Sequence, residues 1–301
     1  MSAIINDSSA SLLAGAYQNT STRIAVILGT GINASIYLPS SSLAAAKFGD
    51  GVQSCCPDIS HVLVNTEISM FGADIFPTTP WDDILSSEHP NPSFQPLEQL
   101  VGGRYLGELV RLILLDGIQS ACIFSGHVPH GFDAYGLSTE TISLIESDNS
   151  ALLASATSVL AARHPLSDGR RYTYKDILTV RRVAHLVSSR AAAYVAAAIY
   201  ALCSLRRSVE NTRHETRNDS EAIGCAGSLL ERYPLFRERT QTWTSLLAMA
   251  DGRRPCYRTM MYLATDSALN GAALAAAMAS TATTANARSG ACELYTVDEV
   301  G

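Results

Sequence analysis

The architecture of this chain is indicated most clearly by residues 23–33, Arg-Ile-Ala-Val-Ile-Leu-Gly-Thr-Gly-Ile-Asn. A short apolar run that ends in turn residues is typical of a strand buried on both faces. Gly29 and Gly31 let the backbone turn sharply, and bare N–H groups around the Thr30 hydroxyl suit a phosphate group. Because Gly-x-Gly also occurs in ordinary hairpin turns, the motif alone leaves both interpretations open.

The composition indicates a chain with a sizeable hydrophobic core. Of its 301 residues, 47% are hydrophobic and 17% are charged, and the formal net charge is -6. This length suffices for one large domain or two small ones. The mild negative charge argues against a nucleic-acid partner, and no apolar run has the length of a membrane span. Because the first residues also lack the features of a secretion signal, we expect a cytoplasmic protein.

The cysteines and histidines do not suggest a metal site. The seven cysteines are irregularly spaced and include no CxxC pair, which argues against zinc and thioredoxin-type motifs. We expect reduced thiols. His127 and His130 form the only close histidine pair, and no third ligand accompanies them in the sequence.

Short apolar segments alternate with long helical patterns, which predicts a single α/β domain. We expect strands at residues 23–28, 34–38, 61–65 and 260–264. We expect helices at residues 8–17, 95–115, 151–163, 174–206, 234–250 and 271–278. The remaining segments are expected to be a connection at 40–57, loops at 71–92 and 125–141, a solvated excursion at 206–221 and a small-residue segment at 222–228. The domain is expected to span residues 1–280, and residues 281–301 are expected to form a disordered tail.

Two carboxylates are predicted at helix starts. Asn6, Asp7 and Ser8 precede the first helical segment and are residue types that cap helices. Glu98 falls on the first turn of the helix expected at residues 95–115. The positive end of a helix favours a carboxylate electrostatically, so both positions have a structural interpretation.

Together these segments resemble the hexokinase family, and specifically its C-terminal large domain. The resemblance extends over nearly the whole chain up to about residue 280. The matching segments are residues 5–8 (Ile-Asn-Asp-Ser), 27–34 (Ile-Leu-Gly-Thr-Gly-Ile-Asn-Ala), 65–67 (Asn-Thr-Glu), 71–72, 88–92, 105–112 (Tyr-Leu-Gly-Glu-Leu-Val-Arg-Leu), 189–192, 226–228, 233–238 and 271–274. Their combination in this order is far more specific than any one motif.

The resemblance implies a fold and a reaction. The fold is of the actin-like ATPase (ribonuclease H-like) type, in which helices flank a mixed sheet and sugar and ATP meet in a cleft. The reaction is the first phosphorylation of glycolysis, in which the γ-phosphoryl group of MgATP passes to the 6-hydroxyl of a hexose such as glucose. Mg²⁺ would be held mainly through the nucleotide. Because a neutral hydroxyl is a poor nucleophile, a carboxylate must accept its proton.

The resemblance also assigns roles to individual residues. Asp7 matches the catalytic base. The residues that match sugar-binding positions are Asn6, Asn33, Glu67 and Glu98, and those that match nucleotide-binding positions are Gly29, Thr30, Ser189, Gly227 and Ser228. Carboxylates and amides suit sugar hydroxyls because each O–H needs a firmly placed acceptor. Structural alternatives are a helix-start carboxylate at Glu98, a turn residue at Asn65 and a cap at Ser228.

Several features of the family are absent from the sequence. There is no Asp-Leu-Gly-Gly-Thr-Asn phosphate loop, and the serine, threonine and lysine that a small N-terminal domain brings to the sugar are missing. We therefore expect a fragment, a truncated product or a degenerate relative. Ile68 and Ala226 replace a tryptophan and an aspartate, and Ile32 and residues 267–271 also depart from the family pattern. Because half a cleft neither excludes water nor aligns the γ-phosphate, we expect weak or absent kinase activity from this chain.

Three functions stay open from the sequence. The first is an ATP-dependent hexose kinase domain. The second is a non-catalytic sugar-sensing regulator, because the sugar-facing residues are kept better than the nucleotide-facing ones. The third is an amino-sugar (N-acetylglucosamine) kinase, which would differ in the room around the second carbon of the sugar.

Overall fold

A computed structural model describes residues 4–44, 47, 60–210, 221–252 and 259–289, with side chains described as far as residue 280. In this part of the chain, a five-stranded mixed sheet has the order β3-β2-β1-β4-β5. The strands are β1 (Thr22–Leu28), β2 (Ile32–Pro39), β3 (His61–Asn65), β4 (Glu221–Ala226) and β5 (Thr259–Leu263). The predicted α/β class, a mixed sheet flanked by helices, is confirmed.

The strand directions bring several loops to one edge of the sheet. β1 pairs antiparallel with β2 and parallel with β4, β2 pairs antiparallel with β3, and β4 pairs parallel with β5. The carboxyl ends of β1, β3, β4 and β5 therefore lie at the same edge as the start of β2. In open α/β sheets, ligands bind outside the carboxyl ends of the strands. The segments that follow β1, β3 and β4 are thus placed to form a common site.

The helices flank both faces of the sheet. They are α1 (Asp7–Gln18), α2 (Pro80–Glu88), α3 (Pro96–Val101), α4 (Gly103–Gln119), α5 (Thr139–Ser147), α6 (Ala154–Arg163), α7 (Tyr174–Val209), α8 (Ser228–Arg232), α9 (Phe236–Ala250) and α10 (Ser267–Ser289). α1 lies against the face that carries Ser35, and α10 packs on α1. Since side chains alternate between the two faces of a strand, Ile24, Val26 and Leu28 point to the other face. There they join the main apolar core with residues of α4 and α7.

α7 is a buried helix of 36 residues. Its start is fixed by a capping box, in which Thr173 accepts a hydrogen bond from the Asp176 N–H and the Asp176 carboxylate accepts one from the Thr173 N–H. By length and composition alone this helix could cross a membrane, because it contains an 18-residue window with a mean hydropathy of 1.5, although the sequence had indicated no apolar run of that length. However, 56% of that apolar window is buried inside the protein, and α4, α5 and α9 pack against the helix. A core helix meets the same criteria of length and composition.

Several elements differ from the sequence predictions, and α5, which begins inside the loop predicted at 125–141, is one of them. Residues 222–228 were predicted only as a small-residue segment, but residues 221–226 form the buried strand β4, which is paired on both sides. Residues 71–92 were predicted as a loop, but they contain α2, which begins with a second capping box between Thr79 and Asp82. The helix predicted at 95–115 is divided into α3 and α4 by Gly102.

The break at Gly102 has a steric cause. Gly102 is extended, with φ -67 and ψ 143, where a continuous helix would need a negative ψ. A Cβ on residue 102 would lie 2.8 Å from the Glu98 carbonyl oxygen and 2.9 Å from the Thr30 carbonyl oxygen. The glycine therefore lets the start of α4 approach the turn after β1.

The ends of the segment at residues 206–221 are not solvated. Arg206 and Glu221 are buried, and Arg206 Nε donates to Glu221 Oε1 at 2.6 Å. The prediction of a solvated excursion was therefore wrong at both ends, because the charges there pair with each other. Residues 211–220 between them, and most of the predicted connection at 40–57, lie outside the described residues.

The last helix, the cysteines and the possible metal ligands can also be compared with the sequence predictions. The last helix is longer than predicted, since α10 runs Ser267–Ser289, while the division of the chain at residue 280 stays a prediction. Of the seven cysteines, Cys122, Cys203 and Cys225 lie among the described residues and are free, and the expectation of reduced thiols stays a prediction. Among the described residues, no three His, Cys, Asp or Glu side chains gather as a metal site would require.

Candidate active site

A buried amide connects two of the predicted sugar-binding residues. Asn33 is the second residue of β2 and Glu67 follows β3, and both hydrogen-bond to the side chain of Asn65. Asn33 Nδ2 donates to Asn65 Oδ1 at 3.0 Å, and Asn65 Nδ2 donates to Glu67 Oε1 at 2.5 Å. The pairing of β2 with β3, which places Asn65 opposite Ser35, brings these side chains together. Asn33 and Glu67 are half-buried, so both retain a solvent-facing side.

The N-terminus of α1 reaches the same cluster through Ser8. The Ser8 hydroxyl lies 2.8 Å from Asn6 Oδ1, 3.3 Å from Asn65 Oδ1 and 2.7 Å from the Ser35 hydroxyl. Asn6 is the cap of α1, because its Oδ1 also accepts from the Ser8 N–H at 2.9 Å. Asp7 is exposed and accepts from the same N–H at 2.7 Å. The predicted base therefore lies at the positive end of a helix that is anchored to the sugar-binding cluster.

Glu98 enters the site from α3. Its Oε2 accepts a hydrogen bond from the backbone N–H of Ile32 at 3.0 Å, directly beside Asn33. The carboxylate lies against Gly31, whose missing side chain leaves the necessary space. Burial is the main cause that raises the pKa of Tyr105 in α4, and the nearby charge of Glu98 raises it further. Asp7, Asn33, Glu67 and Glu98 are thus all held at one edge of the sheet.

The turn after β1 is anchored by the start of α4. Gly103 N donates to Gly29 O at 2.8 Å, and Arg104 N donates to Thr30 O at 3.0 Å. The turn closes on itself through the Gly29 N–H, which donates to Gly31 O at 3.0 Å. Thr30 is exposed, as expected of a residue that would contact a phosphate group.

The turn after β4 lies beside the turn after β1. A Cβ on Gly29 would be 3.6 Å from both the backbone nitrogen and the hydroxyl of Ser228, so the two turns are in contact range. Gly227 has φ +98, and a Cβ there would meet the Leu28 carbonyl oxygen at 2.5 Å. Glycine is therefore required at residue 227. The structure brings Gly29, Thr30, Gly227 and Ser228 together, as a nucleotide-binding edge would require.

Ser189 is held by a separate group of polar residues. It lies on α7, and its hydroxyl accepts from Arg239 Nη1 at 3.1 Å. Arg239 also bonds to Ser188 at 2.8 Å and to Glu146 at 2.5 Å. Within the described part of the chain, Ser189 makes no direct hydrogen bond to the glycine turns, so its role in nucleotide binding stays a prediction. It is linked to the connection between α8 and α9 through the bond from Arg239 to Pro234 O, at 2.7 Å.

The arrangement fits a sugar and part of a nucleotide. Asn33, Glu67 and Glu98 offer amide and carboxylate groups to hydroxyls, which both donate and accept hydrogen bonds. The paired glycine turns place no side chain over the backbone, which permits a close approach of phosphate oxygens, while the N–H groups of Gly29 and Gly227 donate to Gly31 O and Glu231 Oε1. Among the described residues, no carboxylate cluster that could hold a metal ion lies at this edge.

Sequence reasoning missed the roles of Asn65 and Ser8 in this site. Asn65 was recognised as part of the matching Asn-Thr-Glu segment, with a turn residue as its structural alternative, but it was given no role in the site, yet it connects β2, β3 and α1. Its place at the buried end of an apolar strand is the signal that could have revealed it, because a buried amide needs hydrogen-bond partners. Ser8 was recognised as part of the matching segment 5–8 and of a helix cap, but it was given no contact with the other site residues.

Comparisons with known proteins identify the relatives of this chain. The profile of the family described as Hexokinase matches residues 23–278. Among curated relatives, Hexokinase-7 of Oryza sativa subsp. japonica is 31% identical over 278 residues, covering 92% of this chain and 57% of the relative. The hexokinase of Kluyveromyces lactis is 30% identical over 240 residues, covering 79% of this chain and 46% of the relative.

A solved structure of a hexokinase is similar to this chain as well. A hexokinase from Schistosoma mansoni in complex with glucose superposes with a TM-score of 0.75 at 27% identity, covering 91% of this chain and 57% of that one. The chain spans about half the length of the curated relatives it matches. Because the family profile matches most of the sequence, this chain belongs to the hexokinase family.

Proposed function

We propose that this chain forms the sugar-binding part of an ATP-dependent hexose kinase, with glucose as its preferred sugar. The observation that carries the proposal is the hydrogen-bonded group of Asn33, Asn65 and Glu67, joined to α1 through Ser8. Polar groups held in this way can orient a sugar before reaction, which removes part of the entropic barrier. Glu98 completes the set on the neighbouring side of Asn33.

Asp7 is the proposed general base. Its side chain is exposed at the first turn of α1, so it is accessible to a hydroxyl of a bound sugar. A carboxylate there accepts the proton of the attacking hydroxyl as the bond to phosphorus forms. The capping bonds of Asn6 to Ser8 fix the helix start that carries Asp7.

The glycine turns are the proposed phosphate-binding segments. Thr30 and Ser228 are both exposed at the carboxyl ends of β1 and β4, and Gly29, next to Thr30, lies within contact range of Ser228. MgATP supplies the phosphoryl group when bound, and its metal ion neutralises charge on the phosphates. The rate of transfer by this chain alone is expected to be low, because its sequence lacks the Asp-Leu-Gly-Gly-Thr-Asn loop.

Isothermal titration with glucose tests the proposal. We expect the unaltered chain to bind glucose and Glu98→Gln to bind it about tenfold more weakly, because a charged acceptor is lost. Glu140→Gln is the matched control, since Glu140 is an exposed carboxylate on α5 that pairs with Arg163. Asp7→Asn should retain glucose binding and abolish whatever ADP release a coupled assay detects. An unaltered chain that fails to bind any hexose would refute the proposal.

A second candidate is a sugar-sensing regulator without kinase activity. The observation in its favour is that Glu231 Oε1 accepts the Gly227 N–H at 2.8 Å, which places a carboxylate at the proposed nucleotide turn. Ala226 also replaces the aspartate that the family has before this glycine. Titration with ATP separates the two functions: glucose binding without ATP binding or ADP release supports the regulator.

A further inference from the structure

We propose that Asn65 is a positioning residue that fixes the orientation of both Asn33 and Glu67 toward the sugar. This inference rests on the proposed function, because it concerns the same site. Asn65 is only 5% exposed, so it is placed to act through its neighbours. Both ends of its amide are used: Oδ1 faces Asn33 Nδ2 at 3.0 Å, and Nδ2 faces Glu67 Oε1 at 2.5 Å.

The orientation of these amides is determined independently from two sides. An ionised Glu67 can only accept hydrogen bonds, so the Asn65 atom that faces it must be the NH₂ group. This leaves Asn65 Oδ1 to face Asn33, which must then present its own NH₂ group. On the other side, the Ala34 N–H donates to Asn33 Oδ1 at 2.7 Å, which requires the same orientation of Asn33. The two constraints agree.

The backbone of Glu67 supports the same role. Glu67 has φ 46 and ψ 45, a left-handed conformation that is unfavourable for a non-glycine residue. The bond from Asn65 is a charge-assisted contact that helps to hold the carboxylate above this turn. Oε1 is engaged by Asn65, which leaves Oε2 as the oxygen available for a sugar hydroxyl.

An amide is the group that satisfies both neighbours. An aspartate at residue 65 could accept from Asn33, but it would set a second carboxylate against Glu67 and lose the donor. Ser35 is a useful comparison, because it lies opposite Asn65 in the sheet, is fully buried and contacts Ser8 and Ser9. It has no hydrogen bond to Asn33 or Glu67 among those of the described residues.

The experiment compares Asn65→Asp with Ser35→Ala, measuring glucose affinity by titration and the midpoint of thermal unfolding. We expect Asn65→Asp to weaken glucose binding by about tenfold or more, because a charged hydrogen bond is lost. We expect Ser35→Ala to lower the midpoint while its glucose affinity stays within about twofold. A purely structural role for Asn65 would make affinity follow stability in both variants.

The double variant Asn65→Asp/Glu67→Gln gives a readout that does not need the sugar. The amide introduced at residue 67 can donate to the new carboxylate, so the double variant should unfold at a higher temperature than Asn65→Asp alone. If Asn65→Asp does not fold, the absence of this rescue overturns the proposal. An Asn65→Asp variant that binds glucose as the unaltered chain does, or a Ser35→Ala variant that loses equal affinity, also overturns it. If the unaltered chain binds no glucose, the proposed function fails first and the role of Asn65 falls with it.

Discussion

The carboxylate of Glu98 lies in the space that a side chain on Gly31 would fill. A Cβ on residue 31 would be 2.1 Å from Glu98 Oε2 and 2.6 Å from Cδ, distances that no real contact allows. The same oxygen accepts the Ile32 N–H at 3.0 Å. The second glycine of the turn therefore makes room for a carboxylate that comes from a different element, α3.

Gly31→Ala should displace Glu98 and weaken glucose binding. The added methyl group requires the carboxylate to move and the bond to Ile32 to break. We expect a loss of about tenfold in glucose affinity, measured by isothermal titration. Gly117→Ala is the matched control, because a Cβ there meets only Ile123 at 3.4 Å within a helix. Equal glucose affinity in Gly31→Ala and the unaltered chain would show that the Glu98 contact does not matter for the sugar.

Asp82→Asn should destabilise the protein in a pH-dependent way. Burial raises the pKa of Asp82, but hydrogen bonds from Arg190 and Thr79 outweigh it and hold the pKa below its ordinary 3.8. Both oxygens accept from Arg190 at 2.7 Å. We expect a loss of about 2 kcal/mol in the free energy of unfolding at pH 7.

The sign of this pH effect follows from the lowered pKa. A carboxyl group with a depressed folded pKa stabilises the protein above its unfolded pKa, and this contribution is lost as pH falls through the folded pKa. Urea unfolding at a series of pH values should show the difference between Asp82→Asn and the unaltered chain narrowing below about pH 4. A difference that stays constant to the lowest pH would contradict the charged pairing with Arg190.

Arg206→Met should cost much more stability than Arg163→Met. Arg206 connects the end of α7 to the start of β4, and the side chains of Arg206 and Glu221 are 9% and 1% exposed. Arg207 Nη2 also lies 3.6 Å from Glu221 Oε2, but this longer contact compensates the buried carboxylate less well, so the loss of Arg206 should cost about 3 kcal/mol. The Arg163–Glu140 pair is 37% and 72% exposed, so its loss should cost at most about 0.5 kcal/mol. Urea denaturation compares the two variants, and similar losses would disprove the inference.

His164 should make the protein less stable under mildly acidic conditions. Burial lowers the pKa of His164 below its ordinary 6.5, and its Nδ1 lies 3.1 Å from the His130 carbonyl oxygen. Because the unfolded chain then binds more protons than the folded one, the free energy of unfolding declines as pH falls below 6.5. His164→Gln should flatten this decline in unfolding experiments between about pH 7 and 5. An unchanged slope in the variant would assign the effect to other groups.

Local sequence patterns predicted most elements but not those that depend on distant partners. β1 and α7 have long apolar or periodic signals, and both lie close to their predicted bounds. β4 was missed because Ala222, Gly224 and Ala226 carry little strand propensity. Its formation depends on hydrogen bonds to β1 and β5, which are remote in sequence. The break at Gly102 was missed for the same reason, since its cause is contact with the turn after β1.

The amino-acid sequence by itself determined the α/β class, the glycine turns and the types of polar side chain available for a sugar. These features depend on local periodicity and on backbone conformations that only certain residues adopt. Tertiary structure alone decided which of those side chains share hydrogen bonds. Asn33 and Asn65 are 32 residues apart, and Ile32 and Glu98 are 66 apart. Strand pairing and helix packing bring such groups together, and no local pattern encodes those distances.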